Sequence, residues 1–203
     1  MKKLLLILIC LFVSFEVKSR GIDFDKLIER NGILYKKFTD TPFSGKVFGK
    51  EKGKLKKGLR EGKWLTFRDN GQLSLKQYYE NGKLENESLE YFTSGKLSKK
   101  SNYKNGMKEG KEIEYRSDGT VYHERNFKNG KLNGEVIKYI GERWYESQIY
   151  KNDIKDGIYK QIRKDGSLIS SGMFKNNKRE GEFKVFDEKG NYIGNGVFKN
   201  GEK

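Results

Sequence analysis

Phe127-Lys128-Asn129-Gly130-Lys131-Leu132-Asn133-Gly134-Glu135 is the stretch whose reading decides the fold. An aromatic residue precedes a Lys-Asn-Gly triplet, and a second Gly follows. The arrangement recurs along the chain. Tyr79, Tyr103, Phe127, Tyr150, Phe174 and Phe198 stand at intervals of 24, 24, 23, 24 and 24 residues, each followed by Lys or Glu and then Asn. Gly62, Asn86, Gly110, Gly134, Gly157 and Gly181 keep the same beat. So do the mid-repeat pairs Asn70-Gly71, Ser94-Gly95, Asp118-Gly119, Asp165-Gly166 and Lys189-Gly190. The fourth repeat departs, with Ile140-Gly141 and one residue fewer. Three marks at one period identify a repeat array.

Asn-Gly and Asp-Gly between apolar runs close tight hairpins, because those residues tolerate positive φ. Each repeat therefore reads as two short strands. Phe67, Tyr91, Tyr115, Tyr139, Ile162 and Phe186 lie five residues past the marker. Leu73, Leu97, Val121, Trp144, Leu168 and Tyr192 lie six residues before the repeat aromatic. Six is an even number, so the reading places both ends of the second strand on one side of the sheet. One face then carries an aromatic ladder and the other mostly Lys, Glu, Ser and Asn. A lone hairpin is marginal in water, and stacked hairpins cover one another. The expected fold is all-β: an elongated antiparallel meander of about six hairpins over residues 53–203, after a lead-in at 20–52. The best helical candidate is Asp23 to Arg30.

Composition agrees. The 203 residues include 24 Gly, one Pro and no Ala, a poor basis for long helices. A charged fraction of 35% and a mean hydropathy of -0.90 imply a thin core. One His and one Cys argue against thiol redox chemistry, a Cys/His metal site and a disulfide scaffold.

The first nineteen residues read as a secretory signal peptide. Met1-Lys2-Lys3 is positive, Leu4 to Val13 is an unbroken apolar run, and Val17-Lys18-Ser19 suits cleavage after Ser19. The run is too short to span a bilayer, which takes about 20 apolar residues. Cys10 does not suit lipid modification, because Ile9 before it is bulky. Cleavage takes the net charge from +15 to +13 and leaves a Cys-free chain without disulfides, secreted or periplasmic, with no transmembrane segment.

The stretch Phe127 to Glu135 resembles the core of a MORN repeat, and Trp64 and Tyr115 match the aromatic that follows the second Gly. The 24-residue spacing is similar to the bacterial MORN variant. Arg30-Asn31-Gly32-Ile33-Leu34-Tyr35, followed by Thr41-Pro42-Phe43-Ser44-Gly45-Lys46-Val47, resembles the lead-in of chains labelled YwqK-family antitoxins. The resemblance covers residues 30–203. It implies a β-hairpin array used for protein contacts and, in some members, acidic lipid contacts. Asn86 replaces a Gly in repeat two, and Asp153 and Asn177 replace the Gly after Asn in repeats four and five. Asn and Asp reach the same backbone region, so these hairpins are expected to form.

Enzyme readings fail. His123 is the lone imidazole, on a face with Val121, Arg125 and Phe127. Glu85/Glu87 and Glu112/Glu114 read as solvated decoration, since a catalytic acid needs burial. No P-loop, Cys/His zinc set or calcium loop is present, and no cofactor is expected. Charge says more. Lys104, Lys128, Lys151, Lys175 and Lys199 each follow a repeat aromatic and form one basic column if the stacking is regular. Successive hairpins set them about 10 Å apart, near the screening length at physiological salt. The readings left open are a face kept soluble by charge, a surface for anionic lipid, lipopolysaccharide phosphate or wall polymer, and a toxin-sequestering antitoxin. Nucleic acid is disfavoured by export.

A second feature concerns the last repeats. Ile149, Met173 and Val197 precede the aromatics there, where earlier repeats carry Tyr78, Asn102 and Asn126. Spacing places Ile169 and Ile193 on the same second face, with Phe183 and Val185 beside them. The expectation is a sheet apolar on both sides at its end, buried against another copy, a protein partner or the segment Ile22 to Leu34.

Overall fold

The computed structural model describes residues 21–203. The signal-peptide reading and Cys10 lie outside the described residues. What is described is almost entirely β. Six antiparallel hairpins follow one another: Leu59–Phe67 with Leu73–Glu80, Asn86–Tyr91 with Leu97–Lys104, and Gly110–Tyr115 with Val121–Lys128. Gly134–Ile140 with Trp144–Lys151, Ile154–Arg163 with Leu168–Lys175, and Lys178–Phe186 with Tyr192–Phe198 complete the series. Each pairs with the next, so the meander is one continuous sheet.

Two kinds of turn alternate along its long edges. Between hairpins both central residues have positive φ: Asn81/Gly82, Asn105/Gly106, Asn129/Gly130, Asn152/Asp153 and Asn176/Asn177, and Asn200/Gly201 after the last hairpin does the same. Asp153 at +70° and Asn177 at +67° adopt the glycine conformation, as does Asn86 at +60°. The substituted hairpins form as their side-chain chemistry allows. In the mid-repeat loops, Gly71, Gly95, Gly119, Gly166 and Gly190 have positive φ and the residue before each does not.

The lead-in builds a cap. Gly45–Phe48 and Glu51–Lys56 already belong to the main sheet, ahead of residue 59. Their Lys57-Gly58 turn repeats the two positive φ angles, and Leu55 stands 24 residues before Tyr79 with no exposure. The helix expected over Asp23 to Arg30 is absent. A three-residue 3-10 turn, Phe24–Lys26, is capped by the Asp23 carboxylate, and Leu27–Arg30 pairs with Ile33–Lys36 across Asn31-Gly32. The turn dipeptide overrides the weak helical tendency. This hairpin lays Leu27 and Leu34 on Val47, Leu55 and Trp64, with Ile22, Phe24, Phe43 and Tyr79 packed around them. The segment Ile22 to Leu34 therefore covers the first hairpin and not the last.

The single-faced ladder expected from parity is corrected by a β-bulge. Register shifts interrupt hairpins one, two, three, five and six near the loop end. One extra residue makes the even spacing odd and sends the two strand ends to opposite faces. Tyr79 pairs with Gly62 on the face of Trp64, whereas Leu73 pairs with Phe67 on the other. Val121 likewise leaves the face of His123, Arg125 and Phe127. Both faces thus carry apolar strips, offset along the strands.

Close packing on the ladder face depends on two glycines without positive φ. The Trp64 ring lies over Gly53 and the Phe183 ring over Gly172, and an added Cβ would come within 2.4 Å and 2.5 Å of them. We expect Gly172→Ala to destabilise the chain by about 1–3 kcal/mol, the usual cost of overpacking. Urea denaturation checks this, and an unchanged midpoint would show that Phe183 moves aside freely.

Candidate binding surfaces

Three places gather functional side chains: the turn edge, the middle of the ladder face and the C-terminal end. At the turn edge each tight turn stacks on the one before. The second turn residue donates its backbone N–H to a carbonyl one repeat earlier. Gly82 reaches Arg60 at 2.9 Å, Gly106 reaches Leu84 at 2.8 Å, and Gly130 reaches Lys108 at 2.8 Å. Asp153, Asn177 and Gly201 do the same toward Leu132, Lys155 and Arg179, each at 2.9 Å. Carboxylates add a second tie. Glu61, Glu85, Glu109 and Glu180 accept the amides of Asn81, Asn105, Asn129 and Asn200 at 2.7–3.0 Å. Where the turn lacks Gly, the side chains of Asp153 and Asn177 accept backwards from the Leu132 and Lys155 amides.

This accounting separates the charges. Four glutamates at the edge are turned inward onto backbone amides, and the lysines are left outward. Lys104, Lys128, Lys151, Lys175 and Lys199 are all exposed. Lys128 pairs with Lys131 and Lys175 with Lys178 across their turns. Like charges set opposite one another are mildly destabilising, so folding gains nothing from them. Lys151 alone among the five is paired, with Asp156 at 2.8 Å. The repeat aromatics Tyr79, Tyr103, Phe127, Tyr150, Phe174 and Phe198 are half-buried on the ladder face.

The middle of that face holds a cluster that sequence reading missed. Glu112 is 2% exposed and is not solvated decoration. It accepts hydrogen bonds from Ser101 Oγ at 2.8 Å, from Arg125 at 3.0 Å and from Lys108. Arg125 also bonds Glu114 at 3.0 Å and lies 3.1 Å from His123 Nδ1. Burial works to raise the Glu114 carboxyl, but hydrogen bonds from Arg125 and His123, with the charges of Arg125 and Lys99, outweigh it and hold it at about 2. The same balance of burial against Lys108, Ser101 and Arg125 lowers Glu112. Burial, aided by Arg125 and opposed by Glu114, pushes His123 below its ordinary value. Glu112, Glu114, Arg125 and His123 are each bonded to a neighbour, so the cluster ties adjacent strands together. Its sequence signal was the marker-plus-two position, Trp64 in the first hairpin and Phe183 in the last.

At the C-terminal end the candidate contact residues do not share one face. The bulges turn Ile169 and Ile193 toward the ladder side, where they line a trough with Phe183, Val185 and Phe198. Phe183 is 8% exposed and packs edge-on against Phe174 and Phe198, so it belongs to the ladder. Met173 and Val197 lie on the opposite face, exposed at 53% and 64%, and Ile149 is half-buried against Gly157.

No helix among the described residues is long and apolar enough to cross a membrane. No group of three His, Cys, Asp or Glu among them is arranged to hold a metal ion. Residues 74–89, 84–105 and 108–129 match the family described as MORN repeat variant. These matches fall on the first three hairpins and support a MORN-repeat protein, a module that in general binds or scaffolds and does not catalyse. A comparison with curated proteins finds no match.

The ionic cluster sets a pH dependence. Glu114, lowered in the folded state, contributes stability that is complete above its unfolded value of 4.5 and lost as pH falls toward about 2. His123, also lowered, contributes above its unfolded value of 6.5 and loses that contribution on acidification. Urea midpoints should therefore fall from pH 8 to pH 5 and again from pH 5 to pH 3. Arg125→Met should cost about 2–3 kcal/mol at pH 7, less than a fully buried pair because Arg125 is partly exposed. It should also flatten the acid limb. Equal midpoints for variant and parent at pH 7 would remove the cluster from the stability account.

Proposed function

We propose that the protein is an exported, non-catalytic binding module that docks on phosphate-bearing anionic material of the cell envelope through its turn-edge lysines. The observation that carries this is the exposed column Lys104, Lys128, Lys151, Lys175 and Lys199 on a regularly stacked edge whose glutamates are spent on backbone amides. A row of charges about 10 Å apart acts jointly on a polyanion and poorly on a single small anion. The high net charge and the signal-peptide-like start support the same reading. MORN repeats in general serve as binding surfaces, which is consistent with a wide sheet offering side chains to a partner. The antitoxin-like alternative rests on residues 30–47. Leu34 and Val47 are used in the N-terminal cap core, with Phe43 packed against it, which gives that stretch a structural task.

Vesicles containing phosphatidylglycerol, vesicles of phosphatidylcholine alone, and a soluble wall phosphate polymer provide the test. Binding to one or both anionic materials, weakening as salt rises, is expected. The two anionic arms tell a membrane source from a polymer source. Each lysine near an anionic surface contributes about 1 kcal/mol, so changing all five to Gln should weaken binding at least a hundredfold without altering the melt. Equal binding of variant and parent would move the site elsewhere. Recovery of chain still bearing residues 1–19 in the cytosol would sink the export claim.

A further inference from the structure

The fourth hairpin is one residue short, and the loss falls on the bulge. Its pairs run unbroken from Gly134 opposite Tyr150 to Ile140 opposite Trp144. Two consequences follow from the missing shift. Tyr145, and not Trp144, takes the slot opposite Tyr139 that Leu73, Leu97 and Val121 fill opposite their own aromatics. Trp144 is carried one place further, to the position that Thr120 and Ser167 hold in the neighbouring loops, at the mouth of the Gly141-Glu142-Arg143 turn. The loop itself keeps its length, with five residues between the paired slots here as in the neighbouring hairpins three and five.

Between those neighbours lies a recess of about 560 Å³, within the range of small-molecule sites. Tyr139 and Tyr145, with ring centroids 5.6 Å apart, give it an aromatic wall on one face of the sheet, and Trp144, the next residue in the unbroken register, borders it at the loop mouth. Its rim is polar and balanced in charge, with Arg116 and Lys164 against Asp118 and Glu142. Arg116 is committed to the wall, donating to the Val121 carbonyl at 2.7 Å and to that of Tyr139. Asp118 accepts from Thr120 N–H at 2.8 Å and from its hydroxyl at 2.7 Å through Oδ1 alone, which leaves Oδ2 open. The Trp144 indole N–H, the Glu142 carboxylate and the Lys164 ammonium make no hydrogen bond or ion pair among the described residues.

We propose that this recess binds a pyranose ring of a glycan. Its C–H face would stack on Tyr139 and Tyr145, and its hydroxyls would bond to Asp118, Glu142, Lys164 and the indole N–H of Trp144 at the border. A pyranose has the matching chemistry, apolar across its faces and donor-and-acceptor around its rim. A purely apolar side chain would strip water from two carboxylates without replacing their hydrogen bonds, which is costly. A polyanion finds no net positive charge here. The recess also lies on the loop edge, across the sheet from the turn-edge lysines, so the two sites stand or fall separately.

Tryptophan fluorescence reads the site directly. The chain has two Trp, and Trp64 is buried under the N-terminal cap at 3% exposure. The full chain is titrated with chitotriose, cellotriose and maltotriose, and separately with a proline-rich peptide. At least one trisaccharide should give a saturable change with Kd of about 1 mM or tighter. Trp144→Leu, followed by saturation-transfer NMR of the sugar, should weaken binding at least tenfold while keeping the parent's melting temperature. If that variant misfolds, the exposed double change Glu142→Ala and Lys164→Ala should still weaken binding at least threefold. Failure of all three sugars, undiminished binding by the folded variants, or saturation by the peptide alone would overturn the assignment.

Discussion

One backbone hydrogen bond, repeated at every tight turn, sets the geometry on which the rest depends. The second turn residue donates to a carbonyl of the preceding repeat, and it can do so only with two successive residues in the left-handed region. Asn-Gly supplies that conformation at little cost. The stacked turns fix hairpin spacing and pin the register, since a slip of one residue would exchange every side chain between faces. Asp153 and Asn177 reinforce the rule. They keep positive φ and use the side chain that Gly lacks to tie back to the earlier repeat.

That constraint leaves a sheet one layer thick along most of its length, and the interior row shows the consequence. Trp64 and Phe183 are buried at the marker-plus-two position in the first and last hairpins, each over a glycine. Ser88 and Glu112 occupy it in hairpins two and three, with Ser101 and Gln148 buried on facing strands. Apolar burial concentrates at the lead-in cap, and the middle relies on ladder hydrogen bonds and on the Glu112–Arg125–Glu114 cluster. Arginines add staples between repeats. Arg68 and Arg163 in hairpins one and five donate to the carbonyls of Tyr91 and Phe186 in the next hairpin, as Arg116 does to Tyr139. An array whose repeats touch only their neighbours needs such nearest-neighbour ties.

The period, the hairpins and the tolerance of Asn86, Asp153 and Asn177 were legible in the sequence because they follow from local backbone chemistry. Parity along the second strand misled, because a bulge leaves no residue-type signature and one uncounted residue reverses the face. Ile169, Ile193 and Phe183 were misplaced for that reason. Glu112 resisted reading for another: a carboxylate among lysines looks solvated until Ser101, Lys108 and Arg125 are known to converge on it. The outward exposure of the five lysines after the repeat aromatics was legible because it depends only on regular stacking. The inward turning of Glu61, Glu85, Glu109 and Glu180, which keeps those glutamates away from the lysines, was not.

Comparing the repeats with one another separates what the fold requires from what it merely permits. Every tight turn between hairpins keeps two left-handed residues, and each marker position keeps positive φ, whatever its side chain. The position after the repeat aromatic carries no such demand. Glu80 fills it in the first hairpin, and Asn81-Gly82 stacks there as the later turns do. Lysine at the five later positions is therefore a choice of charge independent of backbone geometry. The same logic applies to Trp144. A hairpin one residue shorter closes with a clean register and needs no indole at its mouth. Side chains that the array does not need for stacking are the ones free to meet a ligand, and they lie on opposite long edges of the sheet.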